Sequence, residues 1–284
     1  MFAYARPTSL AEAFALFSDE PASRALGGGT DLLVGLRKRT VTAPLVVDLK
    51  RVTDLERGID ARGDELWIGA LATMTDVARH PITRERFPAL VSAANVVGSI
   101  QIRNRATLAG NLCNASPAAD TAPPLLVAGA RVELVGPAGR RAMPLRDFLL
   151  GPRRTALTAA ELVAAVVLPL RAEPVGSAFG RITRRRGVDL ATVNLACSVD
   201  RAGEVRFAYG AVGPRPFLAV EPSGELARET DAAELDRRLR VLAADARPVS
   251  NVRASREYRD AMLLVLSRRT LAQAKRALEV AGRA

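Results

Sequence analysis

A run of three glycines between a predicted strand and a predicted helix constrains this chain more than any other feature of its sequence. The strand-like residues Arg24-Ala25-Leu26 lead into Gly27-Gly28-Gly29, and apolar residues resume at helical spacing from Leu32. Glycine adopts left-handed backbone angles without a steric penalty, and successive N–H groups at the start of a helix bind anions. The pattern therefore predicts a strand–turn–helix unit with an anion-binding turn. A turn that only joins the strand to the helix is the alternative.

The glycine turn matches neither of the two common phosphate-binding motifs. It lacks the Gly-Lys-Ser/Thr ending of the P-loop, and Leu32 occupies the position of the third glycine in the dinucleotide-binding Gly-x-Gly-x-x-Gly motif. Thr30 adds a hydroxyl donor beside the glycines. The turn by itself therefore predicts an anion site but not its ligand.

A second segment of small and amide-bearing residues extends from Gln101 to Asp120. It separates an apolar helix predicted from about Pro88 to Val97 from another that starts at Ser116 or Asp120 and stops at Gly129. Such residues pack poorly, but they allow backbone N–H groups and polar side chains to converge on a ligand. A polar surface loop is the alternative. Two donor-rich loops in one chain suit a diphosphate that is bound from two sides.

The remaining pattern predicts alternating strands and helices with a boundary near residues 170–176. Before the boundary we expect a helix at Leu10–Phe17, strands at Leu45–Leu49, Glu65–Gly69 and Leu162–Leu168, and a hairpin of Arg131–Val135 with Arg140–Met143. After it we expect strands at Ser177–Thr183, Ala191–Val199 and Val205–Val212, then helices near Asp231–Ala244 and Ser255–Val280.

Composition excludes several classes of function. Two cysteines and one histidine cannot supply an iron–sulfur cluster or a His/Cys zinc set, so we expect no metal site in this chain. No stretch offers about 18 consecutive apolar residues and the N-terminus lacks a signal-peptide core, which predicts a cytoplasmic protein without membrane insertion. The net charge of +11 is spread along the chain and aromatic residues make up only 4%, which argues against nucleic-acid binding.

The two loops and several other segments closely resemble one known family. The segments are Leu26-Gly27-Gly28-Gly29-Thr30-Asp31-Leu32-Leu33-Val34, Ile102 to Leu112, Ser116 to Asp120, Ile68-Gly69-Ala70, Glu161 to Pro169, and Arg185-Arg186 with Asp189-Leu190-Ala191. They are similar to the FAD-binding medium subunit of the xanthine dehydrogenase and carbon monoxide dehydrogenase family of molybdenum hydroxylases. The similarity covers nearly the whole chain in the expected order.

The resemblance implies an α+β fold with a vanillyl-alcohol-oxidase (PCMH)-type FAD-binding domain and a C-terminal α+β domain with a three-stranded sheet. The implied divisions are FAD-binding subdomain 1 at residues 1–55, subdomain 2 at 56–173 and the C-terminal flavoprotein domain at 174–284. The implied FAD contacts are Ala25, Leu26, Gly27, Gly28, Gly29, Thr30, Asp31 and Leu32 on one side of the diphosphate, Thr107, Ala109, Gly110 and Asn111 on the other, Asp120 at the ribityl or ribose group, Val97 and Val163 at apolar positions, and Arg181 near the flavin.

The resemblance also implies a function. FAD is expected to be bound non-covalently, because neither loop contains a histidine. Molybdenum–pterin and [2Fe–2S] clusters are expected in a large and a small partner subunit, and the complex is expected to be a dimer of heterotrimers. Electrons would pass through FAD to NAD, oxygen or a quinone, without a catalytic residue in this chain. A self-sufficient FAD-dependent reductase on the same fold and a basic interaction protein are the alternatives.

Three departures from the family pattern limit what the resemblance implies. Ala109 stands where the family has a glycine, so the loop must shift if the backbone angle there is open to glycine only. Arg181 replaces a lysine, which exchanges a point charge for a planar fork. Relatives with a cysteine-bearing insertion for an additional iron–sulfur cluster are excluded as close counterparts.

Overall fold

A computed structural model describes residues 2–282 and arranges their longer strands in three sheets, with one additional two-stranded ribbon. The first sheet is parallel, and the second and third are antiparallel. Each of the three predicted segments contains one of these sheets, while the boundaries at 55/56 and 173/174 stay predictions.

The first sheet carries the glycine turn at the end of one strand. Its elements are β1 (Ala3–Ala5), α1 (Leu10–Asp19), β2 (Arg24–Leu26), α2 (Leu32–Arg37), β3 (Leu45–Asp48) and a 3₁₀ turn (Leu49–Arg51). The spatial order is β1-β3-β2, and the parallel strands are connected through α1 and α2 because parallel neighbours need crossovers. The Ser9 hydroxyl caps α1 by accepting from the Glu12 N–H at 3.2 Å. The predicted strand, glycine turn and helix are confirmed.

In the part of the chain that the structure describes, the second sheet has five strands and is accompanied by seven helices. Its elements are β4 (Ile59–Arg62), β5 (Glu65–Gly69), α3 (Met74–Arg79), α4 (Pro81–Arg86), α5 (Pro88–Ala94), α6 (Ile100–Arg103), α7 (Leu108–Cys113), α8 (Ala122–Val127), β6 (Arg131–Gly136), β7 (Gly139–Pro144), α9 (Leu145–Phe148), the ribbon strands β8 (Leu149–Gly151) and β9 (Arg154–Thr155), and β10 (Leu162–Pro169). The order is β4-β5-β10-β6-β7, and β10 is buried from Leu162 to Leu168. The predicted hairpin of β6 and β7 is confirmed.

One hydrophobic core joins α1 and β3 to the second sheet. Leu10 and Phe17 of α1 belong to the same buried cluster as Leu66 of β5 and Val166 of β10. Leu26 and Leu32, on either side of the glycine turn, pack with Val46 in a separate small cluster. The second polar segment forms α6, α7 and the turns around them rather than an extended loop.

The C-terminal sheet has four strands, so the expectation of three is wrong. Its elements are β11 (Val175–Ile182), β12 (Val193–Asp200), β13 (Val205–Gly210), β14 (Phe217–Glu221), α10 (Glu225–Arg228), α11 (Ala232–Leu242) and α12 (Arg256–Ala281). The strand β14 follows the sequence Gly213-Pro214-Arg215-Pro216, which is typical of a loop and hides the start of a short strand.

The long helix α12 covers one face of the C-terminal sheet. Its buried residues recur every three or four positions and include Leu263, Leu266, Thr270 and Ala274. These side chains pack in one cluster with Leu195 and others from the sheet. Within residues 2–282 no helix has both the length and the apolar character of a membrane span.

Gly176 of β11 lies directly against the backbone of α12. A Cβ atom built on Gly176 would lie 2.1 Å from the Ala274 carbonyl oxygen and 2.5 Å from the Leu278 nitrogen, both of them backbone atoms. We expect Gly176→Ala to lower the free energy of unfolding by about 1–3 kcal/mol, because helix and sheet must move apart. The measurement is denaturant unfolding. Gly151→Ala is the matched control, since its Cβ meets nothing within 4 Å, and equal effects of both substitutions would contradict the prediction.

Candidate functional site

The glycine turn and the second polar segment face each other across a cleft of about 550 Å³. This volume lies in the range of about 300–1,000 Å³ that is typical of cofactor pockets. The predicted residues that line it are Ala25, Leu26, Gly27, Gly28, Gly29, Thr30, Asp31, Leu32, Val97, Thr107, Gly110, Asn111 and Asp120. The two segments that the sequence analysis singled out therefore form one site, which we call the cofactor cleft.

The glycines of the turn are required for two different reasons. Gly29 has φ +77°, a left-handed conformation that other residues rarely adopt. Gly28 is instead required by space, because a Cβ there would lie 1.9 Å from the carbonyl oxygen of Arg105. The turn therefore touches the backbone of the opposite wall directly, and this contact sets the width of the cleft.

The glycine turn leaves a row of amide donors available. Within residues 2–282, none of the backbone N–H groups from Gly27 to Leu32 donates a hydrogen bond to another residue. Asp31, at the start of α2, likewise caps no N–H group with its side chain. Consecutive free N–H groups at the beginning of a helix are the donors that a diphosphate accepts from. The free amide donors of the turn are therefore suited to the phosphate oxygens of a diphosphate such as that of FAD.

The opposite wall presents further donors from the start of α7. The Thr107 hydroxyl oxygen caps the helix by accepting from the Gly110 N–H at 3.0 Å, which leaves its own hydrogen free to donate. Asn111 Oδ1 accepts from the Thr121 hydroxyl at 2.7 Å, so Nδ2 is the end of that amide available to a ligand. Both walls of the cleft therefore present hydrogen-bond donors to a ligand.

Asp120 closes the cleft on the side of the C-terminal domain. Its Oδ1 accepts from Asn194 Nδ2 at 2.8 Å, and its Oδ2 accepts from the Arg181 guanidinium at 2.7 Å. Burial raises the pKa of the Asp120 carboxyl above its ordinary value, and the Asn194 amide and the Arg181 guanidinium oppose that shift. The carboxylate is thus held in one orientation by two residues of the C-terminal sheet.

A loop of the C-terminal domain, residues 183–192 between β11 and β12, completes the cleft. It contributes Arg185, Val188, Asp189 and Leu190, none of which was among the predicted contacts. Arg184 pairs with Asp189 at 3.0 Å and lowers the pKa of that carboxyl. The sequence did contain a signal for this loop. The segment around Arg185 and Asp189 resembles the family, although its residues have no evident role in packing.

Other missed lining residues belong to segments already quoted for the resemblance or lie beside them. They are Gly98, Ile102, Ala106, Cys113, Asn114, Ser116, Ala118 and Ala119. Their proximity to Thr107 and Asp120 in sequence was the signal that could have found them.

Three predicted contacts do not line the cleft. Arg181 lies behind Asp120 and reaches it as an ion pair. Val163 is buried in β10, where it pairs with Leu134 of β6. Ala109 directs its methyl group into the hydrophobic core. Direct FAD contacts by these three residues therefore stay predictions, and the geometry gives Arg181 a supporting position.

Comparison with known proteins shows where this architecture occurs. Residues 1–171 match the family model described as the FAD binding domain in molybdopterin dehydrogenase, and residues 177–274 match the CO dehydrogenase flavoprotein C-terminal domain. The chain belongs to the FAD-binding medium-subunit family of the xanthine and carbon monoxide dehydrogenases. The family assignment made from the sequence is confirmed, and the members of this family are oxidoreductase subunits.

The similarity to individual members extends over nearly the full length of both chains. The xanthine dehydrogenase FAD-binding subunit of Escherichia coli is 33% identical over 284 residues, covering 95% of each protein. The carbon monoxide dehydrogenase medium chain of Hydrogenophaga pseudoflava is 30% identical over 280 residues, with 95% of this chain and 96% of that protein covered. The solved structure of reconstituted CO dehydrogenase from Oligotropha carboxidovorans aligns with a TM-score of 0.90 at 31% identity, covering 98% of each chain. The predicted fold class is confirmed.

The contact between Gly28 and Arg105 yields a prediction about cofactor retention. We expect Gly28→Ala to force the two walls apart and to weaken FAD binding at least about tenfold, because both sets of donors must reach one diphosphate. Fluorescence titration with FAD measures this. Gly213→Ala is the control, since its Cβ would be in ordinary contact only, 3.5 Å from the Arg215 carbonyl oxygen. Unchanged FAD affinity in Gly28→Ala would remove the turn from the site.

The cysteine in the cleft yields a prediction about pH. Burial raises the pKa of the Cys113 thiol to about 12, so only about one thiol in ten thousand is ionised at pH 8. We expect a disulfide reagent to leave Cys113 unmodified in the native protein at pH 8 and to label it after unfolding, with the native rate rising as the pH approaches 12. The measurement is mass spectrometry of reagent-treated protein. Rapid labelling of Cys113 in the native protein at pH 8 would contradict the prediction that its thiol is buried and un-ionised.

Proposed function

We propose that this chain holds one FAD non-covalently in the cofactor cleft and transfers electrons from an iron–sulfur partner subunit to a final acceptor. The single observation that carries the proposal is the row of free amide donors from Gly27 to Leu32 facing the donors of α7 across one cleft. FAD supplies the redox chemistry when it is bound. The protein residues bind it, orient it and set its surroundings.

Each wall of the cleft has a distinct task in this proposal. The amides of the glycine turn hold the diphosphate from one side, and Thr107 and Asn111 hold it from the other. Asp120 accepts from a ribose or ribityl hydroxyl with the lone pairs that Asn194 and Arg181 leave free. Val97 supplies apolar contact to the ring system. We assign no general base to the chain, because flavin redox at the end of an electron relay does not require one.

The rim of the cleft supports the proposed partners. Apolar side chains are exposed there, with Val188 at 53% and Leu190 at 49%, and Ile102 lies nearby at 38%. Exposed apolar residues around a functional cleft are typical of a surface that another subunit covers. We assign this rim to a small iron–sulfur subunit, with a large molybdenum subunit completing a cytoplasmic complex, a dimer of heterotrimers. The final acceptor is NAD, oxygen or a quinone.

Purification and reconstitution test the proposal. The chain alone should carry about one FAD that acid precipitation releases into solution, because both anion-binding loops are present and neither contains a histidine. It should not oxidise hydroxylase substrates by itself. Turnover should appear when the iron–sulfur and molybdenum subunits from the same source are added, and the measurement is substrate oxidation coupled to each acceptor in turn.

Two results would overturn the proposal. Flavin that remains in the acid-precipitated protein would contradict non-covalent binding. Robust substrate oxidation by the purified single chain would instead indicate a self-sufficient FAD-dependent reductase.

A further inference from the structure

A second cleft of about 720 Å³ lies at the junction of the second FAD-binding subdomain and the C-terminal domain. One wall comes from α4, α5 and α8, and the other comes from the connecting residues 169–175 and the end of α12. It shares no lining residue with the cofactor cleft. We call it the junction cleft, and the FAD-binding role of the chain does not use it.

The walls of the junction cleft are apolar. Phe87, Leu90 and Val127 line one side, and Leu170 and Val280 line the other. Val280 is 70% exposed, so apolar surface continues to the mouth of the cleft. Pockets that bind small organic molecules have such apolar linings and occur preferentially at domain junctions.

Positive charge surrounds this apolar interior without full compensation. Arg84 and Arg276 line the cleft, and neither forms an ion pair or a side-chain hydrogen bond within residues 2–282. Of the acidic lining residues, Glu173 is already paired with Arg201 at 3.1 Å, outside the cleft, and Glu85 forms no ion pair within residues 2–282. Two free cations therefore stand against one free carboxylate. The free cations therefore favour an anionic occupant.

A hydroxyl group at the base of the cleft has no partner. Ser198 of β12 is only 5% exposed, lines the cleft, and its side-chain oxygen makes no hydrogen bond within residues 2–282. Ser177 of β11 lies opposite it in the strand register and also lines the cleft. The Ser198 oxygen is not among the buried unpartnered atoms, so it is open to the cleft and free to bond a ligand. The polar group of a bound molecule would satisfy it.

We propose that the junction cleft is a binding site for a small organic anion with a compact apolar body and one carboxylate or similar charge. The apolar walls cover the body, Arg84 and Arg276 attract the charge at the rim, and the Ser198 hydroxyl bonds a polar group at the base. The volume suits one such molecule, and the combination of free cations with a hydroxyl open to the cleft distinguishes this site from a merely apolar groove.

Isothermal titration calorimetry with the FAD-loaded chain tests this proposal. The probe is 2-naphthoate, and 2-naphthamide is its neutral counterpart of similar shape. We expect one site for 2-naphthoate, with 2-naphthamide at least about tenfold weaker, and with Arg84→Ala and Arg276→Ala each weakening 2-naphthoate about three- to tenfold. Ser198→Ala should weaken both probes.

Arg269→Ala is the matched control, because Arg269 is an exposed arginine of the same helix α12 that lines neither cleft. It should leave the affinity for 2-naphthoate unchanged. Equal losses in Arg276→Ala and Arg269→Ala would overturn the proposal, as would 2-naphthoate binding that occurs only when FAD is absent. If assembly with partner subunits displaces 2-naphthoate, the junction cleft is a protein interface and the proposal is also overturned.

Discussion

The close approach of Gly28 to the Arg105 carbonyl is the constraint on which the cofactor cleft depends. The wall that carries Arg105 is itself fixed, since the Met74 N–H donates to the Ala106 carbonyl at 2.8 Å and the Leu108 N–H donates to the Ala72 carbonyl at 3.1 Å. The glycine turn therefore rests on a rigid surface. Its amide groups are held in alignment before any ligand arrives, and a site with that preorganisation loses less entropy on binding.

The second determinant of the site is the link between Asp120 and the C-terminal sheet. Arg181 and Asn194 are direct neighbours in the register of β11 and β12, and they hold the two oxygens of one carboxylate. A buried carboxylate is costly unless it is paired and hydrogen-bonded. The C-terminal domain supplies both the pairing and the hydrogen bond. The C-terminal domain is therefore part of the cofactor site. Contacts between residues of different domains are difficult to recognise in a sequence.

Sequence patterns predicted the regular part of this fold well. The strand and helix around Gly27–Gly29, the hairpin of β6 and β7 and the buried strand β10 all followed from hydrophobic periodicity and turn residues. The strand β14 was missed because its five residues follow two prolines and its side chains are only partly buried. Hydrophobic periodicity predicts a strand poorly when its side chains are only partly buried.

The site could be predicted in outline but not in its contacts. Local sequence identified both donor-rich segments, because free backbone donors require runs of small residues, and such runs are visible in the sequence. It did not identify the loop at 183–192, whose Val188 and Leu190 approach the cleft only through the packing of the C-terminal domain. Nor did it show that Arg181 acts behind Asp120, since the pairing of residues 61 positions apart depends on tertiary structure.

The alanine at position 109 illustrates how a departure from a family pattern can be compatible with the same site. A methyl group in place of a glycine hydrogen would disturb the cleft only if it pointed toward the ligand or required a left-handed backbone. Ala109 lies within the helix α7, its φ is not positive, and its methyl group is buried in the core at 5% exposure. Its N–H group donates to no residue within 2–282 and stays available at the start of the helix. The side chain therefore stabilises the wall of the cleft, and a bond from the Ala109 backbone to the diphosphate stays a prediction.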